Sequence, residues 1–266
     1  MDTLIEFIDV HKRLGKKKVL DGLNFQVRRG ETMVIIGRSG TGKSVALKHI
    51  VGLMKPDRGK VMVDGTDMGA ASRNEILRLR AKMGVLFQSG ALIHWLTVAE
   101  NVALPLRELG GYDERQIQSI VREKLDLVDL RGASDLTPEQ ISGGMQKRAA
   151  LARAIARDPE IILYDEPTAG LDPVIAKITV ELIASIQKRL GVTSVVVTHD
   201  MGSAYAVADR IAMLHGGKII QMGTPDEIKN TTDPAVRQFI EGRTSGPLTE
   251  DGDQRINAPR MMEQNR

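Results

Sequence analysis

The chain has no cysteine, a single tryptophan and no apolar run near the ~20 residues that a membrane-spanning helix needs. Without thiols there are no disulfides, no thiol catalysis and no Cys-ligated zinc. The N-terminus, Met1 to Glu6, is acidic and lacks the basic start and apolar middle of a signal peptide. These absences predict a cytoplasmic protein that reaches a membrane only through a partner. An excess of charge is missing too. There are 37 basic and 34 acidic residues, a net charge of +3, so electrostatics give no case for nucleic acid as a partner. The short Lys16-Lys17-Lys18 run reads most simply as a solvated loop, with a phosphate or lipid-headgroup role as the alternative.

What is present is a chain of 266 residues, 42% hydrophobic and 27% charged, enough for one large α/β domain with a helical insertion. Ile5 to Val10 and Leu23 to Val27 read as N-terminal strands. Met33 to Ile36 is a continuous apolar run ending in a Gly-rich turn, the pattern of a strand buried on both faces of a parallel sheet. A helix is predicted from Val45 to Leu53. Buried-strand runs return at Ile161–Tyr164 and Ser194–Val197, with a helix from Pro173 to Leu190 between them. Repeated strand–helix–strand order predicts a parallel sheet covered by helices. Residues 89–158 differ. Helical patterns at Ala99–Leu109, Asp113–Leu130 and Gly144–Arg157, with no strand among them, read as a helical subdomain inserted into a core of residues 1–88 and 159–243. Leu214 to Met222 reads as a hairpin turning at Gly216-Gly217, and Asp233-Pro234 opens a helix to about Glu241. Residues 244–266, rich in Gly, Pro, Asp and Asn, are predicted to be a flexible tail.

Gly37-Arg38-Ser39-Gly40-Thr41-Gly42-Lys43-Ser44 has the P-loop spacing, with a buried strand before it and a helix after. The glycines let backbone N–H groups turn inward onto phosphate oxygens, and the helix adds the positive end of its dipole. Lys43 suits the β- and γ-phosphates, and the Ser44 hydroxyl suits Mg²⁺. Val45 continues that turn. Asp165 and Glu166 stand at the end of the Ile161–Tyr164 strand, where ligands of open parallel sheets bind. Asp165 is placed to bind the metal. Glu166 is placed to polarise an attacking water as general base. Gln88 follows the apolar Val85–Phe87 and is a candidate metal ligand or γ-phosphate sensor. An ordinary surface glutamine has the same local sequence. His199 follows Ser194–Thr198, where its imidazole could reach the γ-phosphate. Ser142, Gly143 and Gly144 precede a basic helix, a second anion-binding device. Two such devices in one chain suggest that two copies pair, the P-loop of one facing the Ser-Gly-Gly of the other.

In this order and spacing the chain resembles the ABC ATPase family: P-loop Gly37–Ser44, Q-loop Gln88, signature Ile141–Met145, Walker B Ile161–Glu166, D-loop Ala169–Asp172 and switch His199. The resemblance spans residues 4–242. It implies an ATP-hydrolysing P-loop NTPase with a RecA-like core, ATP and Mg²⁺ as cofactors, a homodimer closing on two ATP molecules, and membrane permease subunits as partners. Asp172 is implied to link the two sites. Two departures stand out. Leu14, before Gly15, occupies the place of the family's adenine-stacking aromatic, so the resemblance implies weaker stacking or stacking from elsewhere. Met145 replaces the signature glutamine. Gln88–Leu92, Glu100–Glu108, the Ser-Gly-Gly-Met signature, Arg148–Ala154, Pro234–Gly242 and Gly246-Pro247 are similar to the Mla- and Mce-associated lipid (toluene-tolerance) ATPases. That subgroup implies phospholipid movement between envelope membranes, attachment to the inner membrane through the permease, and an Mce-domain lipid-binding protein and small accessory subunit as further partners. Trp95, with Leu92, Ile93 and Leu96, is read either as part of an apolar groove for the permease or as subdomain core. The competing readings are a transport ATPase for another substrate, a non-transport ABC ATPase working on DNA or ribosomes, and a P-loop protein without turnover. A single cassette, balanced charge and Glu166 with a full signature disfavour the last two.

Overall fold

The structure is a computed structural model and describes residues 2–250. It contains two sheets with helices packed around the larger one. The first sheet is antiparallel, in the order β2-β1-β4-β5. Its members are β1 (Thr3–Leu14), β2 (Lys17–Arg28), β4 (Arg58–Val63) and β5 (Thr66–Asp67). In the second half of β2, Leu23, Phe25 and Val27 are buried and Asn24, Gln26 and Arg28 are exposed, the period-2 alternation of a strand with one wet face. Lys17 and Lys18, expected in a loop, begin this strand, and Lys17 pairs with Leu14 across the turn. A two-residue turn at Gly15 and Lys16 leaves no room for a longer loop.

The second sheet has the order β10-β9-β3-β8-β7-β6. Here β3 is Thr32–Ile36, β6 is Met83–Leu86, β7 is Ile161–Asp165, β8 is Thr193–Thr198, β9 is Arg210–His215 and β10 is Lys218–Gly223. All pairings are parallel except β9 with β10, the expected hairpin. Every residue of β3 and β8 is buried, because both sheet faces are covered. Alternate residues serve two cores. Met33, Ile35, Leu163 and Val195 face the antiparallel sheet and α1 (Lys43–Ile50). Val34, Ile36, Ile162 and Val196 face the opposite helical layer. Residues 58–80, including β4, β5 and α2 (Arg73–Arg80), carry no element in the sequence reading. They are short and polar; β4 is organised by pairing with β1 and β5 by pairing with β4, while a Ser72/Glu75 capping box starts α2.

The inserted region is helical as expected: α3 (Val98–Leu109), α4 (Glu114–Leu127) and α5 (Gly143–Ala154). Capping boxes at Thr97/Glu100 and Asp113/Gln116 start α3 and α4. The remaining helices are α6 (Pro173–Leu190), α7 (Met201–Val207), α8 (Pro225–Lys229), α9 (Pro234–Glu241) and α10 (Pro247–Glu250). The last overturns part of the predicted flexible tail. Leu248 is only 5% exposed, in the core cluster that holds Val236. Gln238, also buried, accepts the Leu248 N–H at 2.8 Å. One leucine anchor and one buried amide dock a segment whose composition shows no periodicity; residues 251–266 lie outside the described residues. Among the described residues no helix is long and apolar enough to cross a membrane.

Candidate functional site

Four parallel strands end on one edge of the second sheet. Ile36 pairs with Thr198, Asp165 with Val197 and Leu86 with Tyr164. The segments that follow therefore emerge together, which brings the P-loop, Gln88, Asp165–Glu166 and His199 to the same place. The P-loop folds around its own lysine. Lys43 Nζ donates to the carbonyls of Gly37 at 2.8 Å and Arg38 at 3.2 Å. Thr41 Oγ1 donates to the Arg38 carbonyl as well, at 2.9 Å. Gly37 and Gly42 have φ of 154° and 109°. A Cβ on Gly37 would meet the Leu214 carbonyl at 2.5 Å, and one on Gly42 would meet Val19 at 2.9 Å, so both must be glycine. Gly42 caps α1 without a side chain. The first N–H groups of that helix are left for an anion.

Glu166 is 8% exposed and sits at φ 48°, a left-handed conformation that is costly for a residue with a Cβ. Its N–H bonds the Val197 carbonyl at 2.9 Å, which holds that conformation. One carboxylate oxygen lies 3.4 Å from Lys43 Nζ. The other accepts from His199 Nδ1 at 2.8 Å and from the His199 N–H at 3.3 Å. An ionised carboxylate only accepts, so Nδ1 carries the proton of a neutral His199 and Nε2 is the acceptor. Ser44 Oγ donates to Asp165 Oδ1 at 2.7 Å. Burial raises the Asp165 pKa above its ordinary range; the Ser44 hydrogen bond pulls it down and the Glu166 charge pushes it up again. A half-buried carboxylate beside a hydroxyl is an all-oxygen donor pair that favours a hard cation. Among the described residues there is no cluster of three or more His, Cys, Asp or Glu able to hold a metal alone.

These groups border a cleft of about 370 Å³, lined by Ser39, Gly40, Gly42, Lys43, Ser44, Val45, Gln88, Glu166 and His199 on one side and by Leu14, Lys17 and Val19 on the other. A profile of the ABC transporter family matches residues 20–169. The chain belongs to the ABC transporter family. It is 41% identical over 246 residues to the intermembrane phospholipid transport ATP-binding protein MlaF of Escherichia coli K12, covering 92% of this chain and 91% of that one. It is 42% identical over 248 residues to a probable ribonucleotide transport ATP-binding protein, mkl, of Mycobacterium tuberculosis H37Rv, covering 93% of this chain and 69% of that one. Among solved structures, a dimeric ATP-binding cassette in a post-hydrolysis state with ADP and Pi superposes with a TM-score of 0.77 at 33% identity, over 84% of this chain and 99% of that one. The chain is thus an ATP-binding and ATP-hydrolysing cassette.

Other predicted residues of the cassette lie elsewhere. The Arg38 side chain, expected at the nucleotide, donates to the Leu248 carbonyl at 2.7 Å. The docked C-terminal segment claims it, and only its backbone shapes the P-loop. Ser142, Gly143 and Gly144 do not line the cleft. Ser142 caps α5 by accepting the Met145 N–H at 3.3 Å. Ser142 and Gly143 are exposed, with nothing within 4 Å of a Cβ added at Gly143. Gly144 packs so tightly on Ile175 that a Cβ would come within 2.5 Å of it. Met145 packs half-buried against the core. Asp172 is exposed and caps α6, accepting from the N–H groups of Val174 and Ile175 at 3.0 and 3.1 Å.

Trp95 is 82% exposed, which removes the reading of it as subdomain core. Leu92, expected in a groove, is buried at 8% in the core. An apolar groove of about 470 Å³ does exist, between the β6 edge and α3. Of the four residues proposed for it, only Ile93 lines it, beside Val85, Phe87, Leu104 and Pro105. Asn101, fully buried, sets this loop by binding both the N–H and the carbonyl of Ile93.

Sequence reasoning missed two cations on α5. The Lys147 ammonium, 7% exposed, donates to the Gln88 carbonyl. Arg153 donates to the Gly90 and Ala91 carbonyls, both at 2.7 Å. Burial lowers the Lys147 pKa, while the charges of Asp165 and Glu166 raise it. The helix that begins at Ser142 is therefore fastened to the loop carrying Gln88. These contacts join residues 59 to 63 positions apart, beyond any local pattern.

Proposed function

We propose that two copies of the chain close head to tail around two ATP molecules and drive permease subunits that move phospholipid between envelope membranes. The observation that carries the dimer is the exposed Ser142-Gly143 at the start of α5, an anion-binding device outside its own chain's cleft. Exposed Val174 and Ile178 on the neighbouring α6, at 68% and 45%, supply apolar surface for the same contact. The dimeric state of the ADP- and Pi-bound structural relative agrees with it. Asp172, beside Val174, sits where the two copies would meet.

In this reading Glu166 is the general base and the His199–Glu166 hydrogen bond orients it. Lys43 and the N-terminus of α1 hold the phosphates. Ser44, Asp165 and Gln88 would hold Mg²⁺, which when bound would supply positive charge against the phosphoryl oxygens. The groove beside Phe87 and Ile93 receives a helix of the permease, and Trp95, exposed two residues after Ile93, offers apolar surface to the same partner. Phospholipid as cargo rests on the likeness to MlaF. The motif resemblance to the Mla- and Mce-associated ATPases is also the basis for a place on the cytoplasmic face of the inner membrane, reached through the permease. That resemblance is likewise the basis for adding an Mce-domain lipid-binding protein and a small accessory subunit as further partners.

Glu166→Gln tests the catalytic reading: ATP binding persists, turnover falls about 10²–10⁴-fold, and light scattering detects an ATP-dependent dimer. Wild-type turnover in that variant contradicts it. Trp95→Ala tests the groove. An exposed residue contributes little to folding, so the melting temperature holds while copurification with the permease from solubilised membranes falls. A variant that unfolds, or that copurifies unchanged, removes Trp95 from the interface.

A further inference from the structure

The P-loop turns on one carbonyl. That of Arg38 accepts from Lys43 Nζ at 3.2 Å and from Thr41 Oγ1 at 2.9 Å, so its position sets where the phosphate-binding ammonium waits. The crest beyond it is bare. Ser39 and Gly40 are exposed, and nothing lies within 4 Å of a Cβ added at Gly40. Lys17 and Arg38 tie this turn to its surroundings. Exposed Lys17 makes a long bond to the Gly40 carbonyl, at 3.3 Å. The half-buried Arg38 guanidinium makes a short one to the Leu248 carbonyl, at 2.7 Å, outside the cleft. That acceptor is itself fixed. The Leu248 side chain is 5% exposed in the core cluster, and its N–H donates to Gln238 Oε1 at 2.8 Å. Gln238 is buried, and its Nε2 donates to the Arg243 carbonyl and to Thr249 Oγ1, each at 3.3 Å. Gly246, at φ 146°, passes so close that a Cβ would come within 2.7 Å of Gln238 Oε1. A segment some two hundred residues downstream thus ends on the pivot of the P-loop.

We propose that Arg38 is a positioning residue that couples docking of residues 244–249 to ATP binding. The docked segment holds the P-loop turn ready for phosphate, and bound ATP holds the segment docked in return. A turn with little packing of its own takes its order from its ties. A loop already in its bound shape then binds without the cost of being ordered. One charge-assisted hydrogen bond can shift such a balance about tenfold or more. Coupling of binding free energies is reciprocal, so docking tightens ATP by the factor with which ATP tightens docking. Removing the Arg38 charge would also weaken the attraction for phosphate at a distance. The decisive changes are therefore at the acceptor end, at Leu248 and Gln238, which carry no charge and lie outside the cleft. The inference concerns nucleotide binding by one chain and is independent of what the transporter carries.

The test is titration of the full-length chain with a fluorescent ATP analogue, beside steady-state hydrolysis and amide hydrogen exchange. Leu248→Asp expels the leucine from the core. Gln238→Met removes the acceptor of the Leu248 N–H without adding charge, and carries the test if melting shows Leu248→Asp unfolded. Both weaken ATP binding by about tenfold, and in hydrolysis KM rises more than kcat falls. Arg38→Met weakens binding at least as much, and adding Leu248→Asp to it weakens binding no further, because both changes cut one tie. In the wild type, saturating ATP slows exchange of the amides of residues 244–249 by about the same factor, and in Arg38→Met it does not. Folded Leu248→Asp and Gln238→Met proteins that bind ATP like the wild type overturn the proposal. So do losses that multiply in the double variant, and wild-type exchange at residues 244–249 that ATP leaves unchanged.

Discussion

The P-loop and the proposed second anion-binding end at Ser142 are built to different degrees. At the P-loop, Lys43 is 6% exposed and each of its neighbours is already engaged: Gly37, Arg38 and Glu166 with its ammonium, Ser44 with Asp165, Glu166 with His199. At the start of α5, Ser142 and Gly143 are exposed, and the Ser142 hydroxyl serves as a cap that accepts the Met145 N–H. The first end needs a phosphate and is otherwise assembled. The second has its backbone in place and no opposing surface. A single chain thus holds one site nearly complete and a fragment of another, which is what head-to-tail pairing requires.

The strongest way to break this comparison is to damage each end separately. Lys43→Ala loses both ATP binding and turnover. Ser142→Arg leaves ATP binding by the monomer within a few-fold while turnover drops by at least about a hundredfold, the scale of losing an oriented phosphate contact. Fluorescent-nucleotide titration beside phosphate release separates the two. Equal loss of binding in both variants contradicts the assignment of Ser142 to the partner's nucleotide.

A smaller effect sharpens the link between the ends. Lys147→Met breaks the tie between α5 and the Gln88 carbonyl while keeping an apolar stem of similar length. One charge-assisted hydrogen bond is worth about 1.5–3 kcal/mol, so turnover falls about tenfold or more. Lys147→Arg, which preserves the donor, recovers part of it. Loss of melting temperature with unchanged turnover makes Lys147 purely structural.

The smallest effect concerns the polar cluster at the opposite edge of the sheet. Asp64 binds Lys82 and Arg29, both at 2.9 Å. The Lys82 hydrogen bond, with Arg29, holds its pKa below the ordinary 3.8. A carboxyl depressed on folding stabilises at pH above its unfolded value, and that contribution is lost as pH falls through the folded value. Asp64→Asn therefore costs about 1 kcal/mol or less at neutral pH. The difference closes below pH 3.8, followed by denaturant melts across pH. Turnover stays at the wild-type level, because this edge carries no part of the cleft.

The nucleotide end was legible in the sequence because its chemistry is local. A buried run, a Gly-rich turn and a helix specify the P-loop, and Asp165-Glu166 directly ends a strand. The edge of the sheet on which these segments meet follows from parallel order alone. What stayed hidden depends on distant partners or on one side chain. Lys147 and Arg153 are only two cations of a basic helix until α5 is seen packed against the loop after β6. Leu92 and Trp95 sit three residues apart in similar company, yet one is core and the other projects into solvent, because Asn101 fixes the loop between them. Arg38 stands inside a nucleotide motif, but its guanidinium is claimed by a segment some two hundred residues later.

The central claim is that neither copy completes the reaction alone. Specific activity measured against chain concentration, with the mass determined at each dilution, tests it most directly. The account predicts that activity per chain falls towards zero as the protein dilutes to monomer and rises to a plateau as dimer forms with ATP. Constant activity per chain, down to dilutions at which only monomer is present, contradicts it.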